Sequence, residues 1–272
     1  MAEKVEPFLK WAGGKRRLLD QLLPHFPDLK GSATYFEPFL GGAAVFFGLA
    51  PRRAVLSDVN PALIETFIAV RDNVDGVISH LRRLRHTRQE FYRVRASRPR
   101  TPESRAARFI YLNKTCFNGL YRENLAGDFN VPFGRHSARL VVCDAAQLRA
   151  ASCALANALL QHGDFEQQLD GAMPGDIVYI DPPYIVSHTE NGFVEYNARI
   201  FSWEDQKRLA AVATDLVKRG CHVLVSNADH ASVRRLYARS SLFTPFRVSR
   251  WSTMAGASHR RFPTTELLLV GN

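Results

Sequence analysis

The sequence contains no run of about 18 apolar residues, so no segment reads as a membrane-spanning helix. Its first 15 residues lack both a continuous apolar stretch and a small-residue cleavage site, so no signal peptide is expected. Cysteine is scarce: Cys116, Cys143, Cys153 and Cys221 form no CxxC pair and have no histidine at ligand spacing. A zinc site, any other bound metal and a disulfide framework are therefore not expected, and a reducing cytoplasm is the expected compartment. No Gly-x-Gly-x-x-Gly follows the first strand signal, which disfavours a dinucleotide-dependent oxidoreductase. Repeats and low-complexity segments are also missing. What is present is 272 residues, 46% hydrophobic, 11% aromatic and 23% charged. That composition excludes disorder and suits one large domain, or one domain carrying a sizeable insert.

Positive charge is unevenly spread. Lys and Arg total 36 against 26 Asp and Glu, a net of +10. Residues 71–139 hold 15 of the basic and 6 of the acidic side chains, a net of +9, so a quarter of the chain carries nearly all the excess. All but one of those basic residues are arginine, which forks well onto phosphates and guanine edges. A solvated helical surface would also account for this charge. The sharper reading is a nucleic-acid-binding insert.

Outside that stretch, short apolar runs alternate with helical patterns, as in a mostly parallel sheet. Strands are predicted at residues 34–37, 54–57, 158–162, 176–180, 222–225 and 266–270. Asn60-Pro61 opens a helix over residues 62–70, and Asp144 with Gln147 begins another. Ser202 and Asp205 form a capping box for a helix that stops at Lys218-Arg219-Gly220. Several strands end on an acid or amide: Glu37, Asp58, Asp164, Asp181 and Asn227. In open parallel sheets ligands bind beyond the carboxyl ends of the strands, so these residues point to a site.

The strongest local signal is Asp181-Pro182-Pro183-Tyr184, directly after an apolar strand. Two prolines remove two amide donors and fix the backbone. That cost makes sense if the Pro182 carbonyl must face a ligand. Asp181 offers a second acceptor and Tyr184 a ring face. Two acceptors beside a ring suit a planar group bearing an NH2, such as a nucleobase.

These residues stand in a longer ordered set. Leu9-Lys10-Trp11-Ala12-Gly13-Gly14-Lys15, Phe36-Glu37-Pro38-Phe39-Leu40-Gly41-Gly42 and Ser57-Asp58-Val59-Asn60 precede the basic stretch. Within it lie Tyr111-Leu112-Asn113-Lys114-Thr115-Cys116-Phe117-Asn118-Gly119-Leu120-Tyr121-Arg122 and Phe129-Asn130-Val131-Pro132-Phe133-Gly134-Arg135. Over nearly the whole chain this order resembles the DNA adenine N6-methyltransferases of the Dam type, in the alpha group of amino-methyltransferases. The resemblance implies an α/β fold: a Rossmann-like, mostly parallel sheet with helices on both faces, plus a mainly helical DNA-recognition insert with a β-hairpin. It implies residues 1–70 and 140–272 as the cofactor-binding catalytic domain and 71–139 as the inserted recognition domain.

The implied cofactor is S-adenosylmethionine, with S-adenosylhomocysteine as product. Asp58 would accept from the ribose hydroxyls, although it could instead simply cap the helix begun by Asn60. Glu37 through Gly42, with Phe39 and Gly41, would wrap the methionine end. Trp11 and Lys15 would lie beside the cofactor, and Asp164 with Phe165 would meet its adenine. The sequence departs from the family's Phe-x-Gly-x-Gly, because Ala43 occupies the second glycine position. Alanine suffices there unless a positive φ is needed.

At the catalytic turn, Asp181 and the Pro182 carbonyl would accept both hydrogens of an adenine amino group, and Tyr184 would stack on a flipped base. Arg122 would fork onto a guanine and Leu120 touch a thymine methyl, while Phe117 or Asn118 would fill the gap left by the flipped base. Lys10 would contact the first base of GATC, or of a longer site containing it. Arg135 joins the DNA-binding set, and His259-Arg260-Arg261 reads as a phosphate-contacting or solvated loop. The expected partner is duplex DNA, engaged in the cytoplasm at the nucleoid by a monomer or weak dimer. The nearest alternative is a ribosomal-RNA or protein-glutamine methyltransferase sharing the Pro-Pro-Tyr turn. A non-catalytic DNA-binding module would have no use for Asp58 and the Asp181–Tyr184 turn together.

Overall fold

A computed structural model of the chain describes residues 5–29, 33–124, 127–134, 140–184, 201–251 and 263–272. Strands are β1 (Tyr35–Glu37), β2 (Ala54–Asp58), β3 (Ala158–His162), β4 (Ile177–Ile180), β5 (His222–Ala228), β6 (Phe243–Trp251) and β7 (Pro263–Gly271). They form one sheet in the order β3-β2-β1-β4-β5-β7-β6. β1 pairs in parallel with β2 and β4, and β4 with β5, whereas β7 runs antiparallel to both β5 and β6. The expected mostly parallel α/β sheet is thus observed, with an antiparallel pair closing one edge.

The α-helices are α1 (Leu19–Leu22), α2 (Ala44–Leu49), α3 (Pro61–Asp72), α4 (Val74–Arg82), α5 (Arg88–Ala96), α6 (Pro102–Thr115), α7 (Ala145–Leu155), α8 (Phe165–Leu169), α9 (Trp203–Lys218) and α10 (Ala231–Ala238). Their ends follow local chemistry. The Asn60 side chain accepts from the Leu63 amide ahead of Pro61, which begins α3 without a wasted donor. Ser202 and Asp205 make the anticipated reciprocal capping box of α9. Thr101 and Ser104 make a second, at the start of α6.

Two compact units make up the chain. One comprises Met1–Arg16, Gly41–Ala50 and Asp58–Gly163; the other comprises Arg17–Leu40, Pro51–Ser57 and Asp164–Asn272. In the first, α6 packs on α3 and α4, and α7 packs on the same two helices. Leu63, Phe67, Val77, Leu81, Ile110 and Leu148 are buried there, at helical spacing along their elements. In the second, Val178, Ile180, Val223 and Val225 form a core with Leu209 and Leu216 of α9. Packing therefore groups α3 and α7 with the basic helices, a division along different lines from the functional boundaries expected at residues 71 and 139. The hairpin expected within the basic stretch takes the form of isolated antiparallel bridges, Cys116 with Phe133 and Glu123 with Phe129.

Candidate active site

In the first unit, a glycine turn is fastened to a strand end. Asp58, last in β2, accepts from the Gly41 amide at Oδ2 and the Asn60 amide at Oδ1, both at 3.0 Å. Asn60 itself caps α3, so Asp58 does not serve as that cap; it ties the turn to the strand. Burial raises its carboxyl above the ordinary carboxylate range, only partly opposed by the amides of Gly41 and Asn60 and by His162. Gly41 has φ 47°, and a Cβ built on it would lie 2.7 Å from Trp11 Cδ1, so both its conformation and its lack of side chain are used. The Trp11 indole stacks at 5.9 Å on Tyr121 and at 6.4 Å on Phe109. Lys15, 2% exposed, donates from Nζ to the Gly13 carbonyl at 2.9 Å. Ala43 adopts φ 57°, the left-handed region. The condition under which alanine would not simply replace glycine is therefore met, and this residue is held where a Cβ costs about 1–2 kcal/mol.

The same unit carries most of the residues expected to read DNA. Phe117–Gly119 is a single 3-10 turn in which Asn118 and Gly119 have φ 55° and 65°. Fully buried Asn113 holds this turn and Lys10 together. Its Oδ1 accepts from the Lys10 amide at 2.9 Å, and its Nδ2 donates to the carbonyls of Lys10 at 2.7 Å and Gly119 at 3.2 Å. The turn presses so close that a Cβ on Gly119 would meet Lys10 Cβ at 2.6 Å. Lys10 and, on this anchored turn, Phe117 and Asn118 are exposed, and Leu120 is half-buried. Phe117 keeps 49% of its surface exposed. Arg122 is exposed and donates from Nε to Asn130 Oδ1 at 2.8 Å. Arg135 and His259-Arg260-Arg261 lie outside the described residues.

In the second unit, Asp181 follows β4 partly exposed, Pro182 is buried, and Tyr184 donates its hydroxyl to Glu266 Oε2 at 2.8 Å. Burial, then the charges of Asp181 and Glu266, push the Tyr184 phenol far above its ordinary pKa, so it remains a neutral donor. Glu37, 3% exposed, accepts from the Tyr35 hydroxyl at 2.8 Å. Phe39 stacks on Phe165 at 5.5 Å and meets Phe201 edge-on at 5.6 Å. Phe165 is 4% exposed with the Arg208 guanidinium 4.6 Å over its ring. Asp164 lies just past β3 rather than ending it; it caps α8 at the Glu166 amide and pairs with Arg208 at 2.6 Å. Asn227 was expected among the strand-end site residues, but β5 runs on through Ala228 and the side chain is fully buried, donating to Gln206.

Two residues without an assigned part in the sequence reading emerge here. Asn113 lies inside a matched motif, but only the fold shows what it holds. Glu266 heads an apolar run, where its charge was the one available signal. Among the described residues, no cluster of three or more His, Cys, Asp or Glu could hold a metal.

A family model described as D12 class N6 adenine-specific DNA methyltransferase matches residues 11–254. The type II methyltransferase M1.LlaDCHI of Lactococcus lactis subsp. cremoris is 36% identical over 98% of this chain and 95% of its own length. The type II methyltransferase M.MjaIII of Methanocaldococcus jannaschii is 38% identical over 83% of this chain and 85% of its own. The DNA adenine methylase of Escherichia coli K12 is 35% identical over 88% and 87% respectively.

Proposed function

The chain belongs to the D12 class of N6 adenine-specific DNA methyltransferases, and from that premise we propose that it methylates the amino group of a flipped adenine within GATC, or a site containing it, using S-adenosylmethionine. Relatives named as DNA adenine methylases and as type II methyltransferases are both compatible with this reading.

The residues fit such a cofactor. A carboxylate has about four acceptor sites, and backbone amides at 3.0 Å hold two of those on Asp58. Acceptor capacity is left for ribose hydroxyls. Gly41 lets the turn fold at φ 47° against Trp11, and the buried carboxylate of Glu37 suits a cationic ligand. When bound, the cofactor supplies an electrophilic methyl group on a sulfonium.

The chain's own task is to prepare the nucleophile. Adenine's amino nitrogen is weak because its lone pair is delocalised into the ring. Accepting both of its hydrogens, at the Asp181 carboxylate and the Pro182 carbonyl, favours a tetrahedral nitrogen whose lone pair is free to attack. Asp181 also compensates the positive charge that develops there, and Tyr184 orients the base by stacking. Lys10, Leu120 and Arg122 read the site, Phe117 or Asn118 fills the vacated stack, and residues 71–139 supply the recognition insert. We place the protein on nucleoid DNA in the cytoplasm as a monomer or weak dimer. No helix among the described residues is long and apolar enough to cross a membrane.

The observation that carries this reading is the Asp181–Tyr184 turn beyond β4, with its buried proline and anchored tyrosine. Labelled methyl transfer to duplexes with and without GATC tests it. Wild type is expected to label only GATC duplexes, and Asp181→Ala to bind DNA normally while transferring no methyl. Near-normal turnover in that variant, or labelling independent of GATC, refutes the respective part.

A further inference from the structure

We propose that Glu266 is a positioning residue for the target base: its carboxylate holds the Tyr184 hydroxyl and so fixes the ring on which the base stacks. The inference rests on the reading of Asp181–Tyr184 as the base-holding turn. Glu266 stands in β7 opposite Ala228 of β5 and Val248 of β6, its two antiparallel neighbours. It is 4% exposed among leucines: Leu267, Leu268 and Leu269 follow it, each at most 3% exposed. A carboxylate is expensive in such a run and persists where it is hydrogen-bonded. Its Oε2 accepts from Tyr184 at 2.8 Å, across 82 residues of sequence.

A tyrosine ring on a short turn can otherwise swing about two side-chain torsions. A charge-assisted hydrogen bond to a strand removes that freedom before the base arrives, so stacking need not order the ring. The phenol stays protonated over the working pH range because of burial and its two acidic neighbours, which keeps it a donor to Glu266. The antiparallel pair β6–β7 thereby gains a role beyond covering the sheet edge.

The test compares the full-length variants Glu266→Ala, Glu266→Gln, Tyr184→Phe, Tyr184→Ala and the Glu266→Ala/Tyr184→Phe double variant. Two readouts are used: methyl-transfer turnover, and the fluorescence of 2-aminopurine placed at the target adenine of a GATC duplex. Losing the charge-assisted bond should cut kcat roughly ten-fold in Glu266→Ala and in Tyr184→Phe, with KM for the cofactor unchanged. Both should shift the 2-aminopurine signal part-way toward that of Tyr184→Ala. Glu266→Gln, which keeps an acceptor oxygen, should stay within about three-fold of wild type. Adding Glu266→Ala to Tyr184→Phe should change turnover by less than about two-fold, because the bond is already gone.

The proposal is overturned if Tyr184→Phe matches wild type in both readouts, or if Glu266→Ala acts as strongly without the hydroxyl as with it. Should Glu266→Ala fail to fold, Tyr184→Phe and Glu266→Gln decide on the same criteria. If Tyr184→Ala itself leaves turnover and fluorescence unchanged, the base-holding reading fails instead; if Tyr184→Ala is inactive while Tyr184→Phe is normal, only the role of Glu266 fails.

Discussion

Gly41 is the position where a single methyl group should do most harm to the turn held by Asp58. Gly41→Ala meets two separate obstacles. The backbone sits at φ 47°, and an L-residue there costs about 1–2 kcal/mol. The new Cβ would also lie 2.7 Å from Trp11 Cδ1 and 3.0 Å from Nε1. The indole stacks on the rings of Tyr121 and Phe109, so giving way disturbs those contacts. Overpacking of this kind costs about 1–3 kcal/mol. Against both stands a gain of about 0.4–1 kcal/mol from stiffening the unfolded chain. The net loss should be about 2–3 kcal/mol, or roughly 5–10 °C in melting temperature for a chain of this size. Because Trp11 must shift, binding of S-adenosylhomocysteine should weaken as well. The two obstacles can be separated by repeating the substitution in Trp11→Ala. Without the indole the overpacking disappears, and Gly41→Ala should then cost only about 1 kcal/mol, from the backbone alone. Thermal melts of the four proteins measure the coupling. An equal cost in both backgrounds would refute the packing argument, and no cost in either would refute the need for positive φ.

Asp58→Ala removes a charged acceptor, so affinity for S-adenosylhomocysteine should fall about ten- to hundred-fold by calorimetry, from about 1.5–3 kcal/mol. Burial raises the folded pKa of Asp58, so the acceptor protonates at a higher pH than an ordinary aspartate; wild-type affinity should already decline as pH falls toward that raised value, while the Ala variant stays flat. Arg122→Ala should cost about 1–3 kcal/mol on GATC and little on a duplex altered at the guanine, with the salt dependence of binding unchanged; a uniform loss with a salt slope lower by about one unit would make it a phosphate contact. Asn113→Ala removes the side-chain partner of three backbone groups of Lys10 and Gly119, so site discrimination should fall in binding assays while cofactor affinity holds; an equal loss of both would contradict the anchor. Gly119→Ala, with its Cβ 2.6 Å from Lys10 Cβ, should reproduce the Asn113→Ala phenotype.

Local chemistry determined much of this protein in the sequence alone. The caps at Asn60 and Ser202, the stop at Gly220 and the strand 158–162 are all set within a few residues, and the structure shows them there. The Asp181-Pro182-Pro183-Tyr184 turn is legible for the same reason: its rigidity and its acceptors belong to four consecutive residues. Tertiary structure decided what depends on chain segments far apart. β6 escaped the sequence reading because Pro245 interrupts its pattern, a residue tolerated here because β6 is the edge strand. The tie from Asp58 to Gly41, the ring that excludes a side chain at Gly41 and the anchor at Asn113 join residues 17, 30 and 103 positions apart. Glu266 looked like the start of a buried strand until β7 brought it to the Tyr184 hydroxyl. Such contacts leave no periodicity in the sequence, because their geometry arises only when separate elements pack.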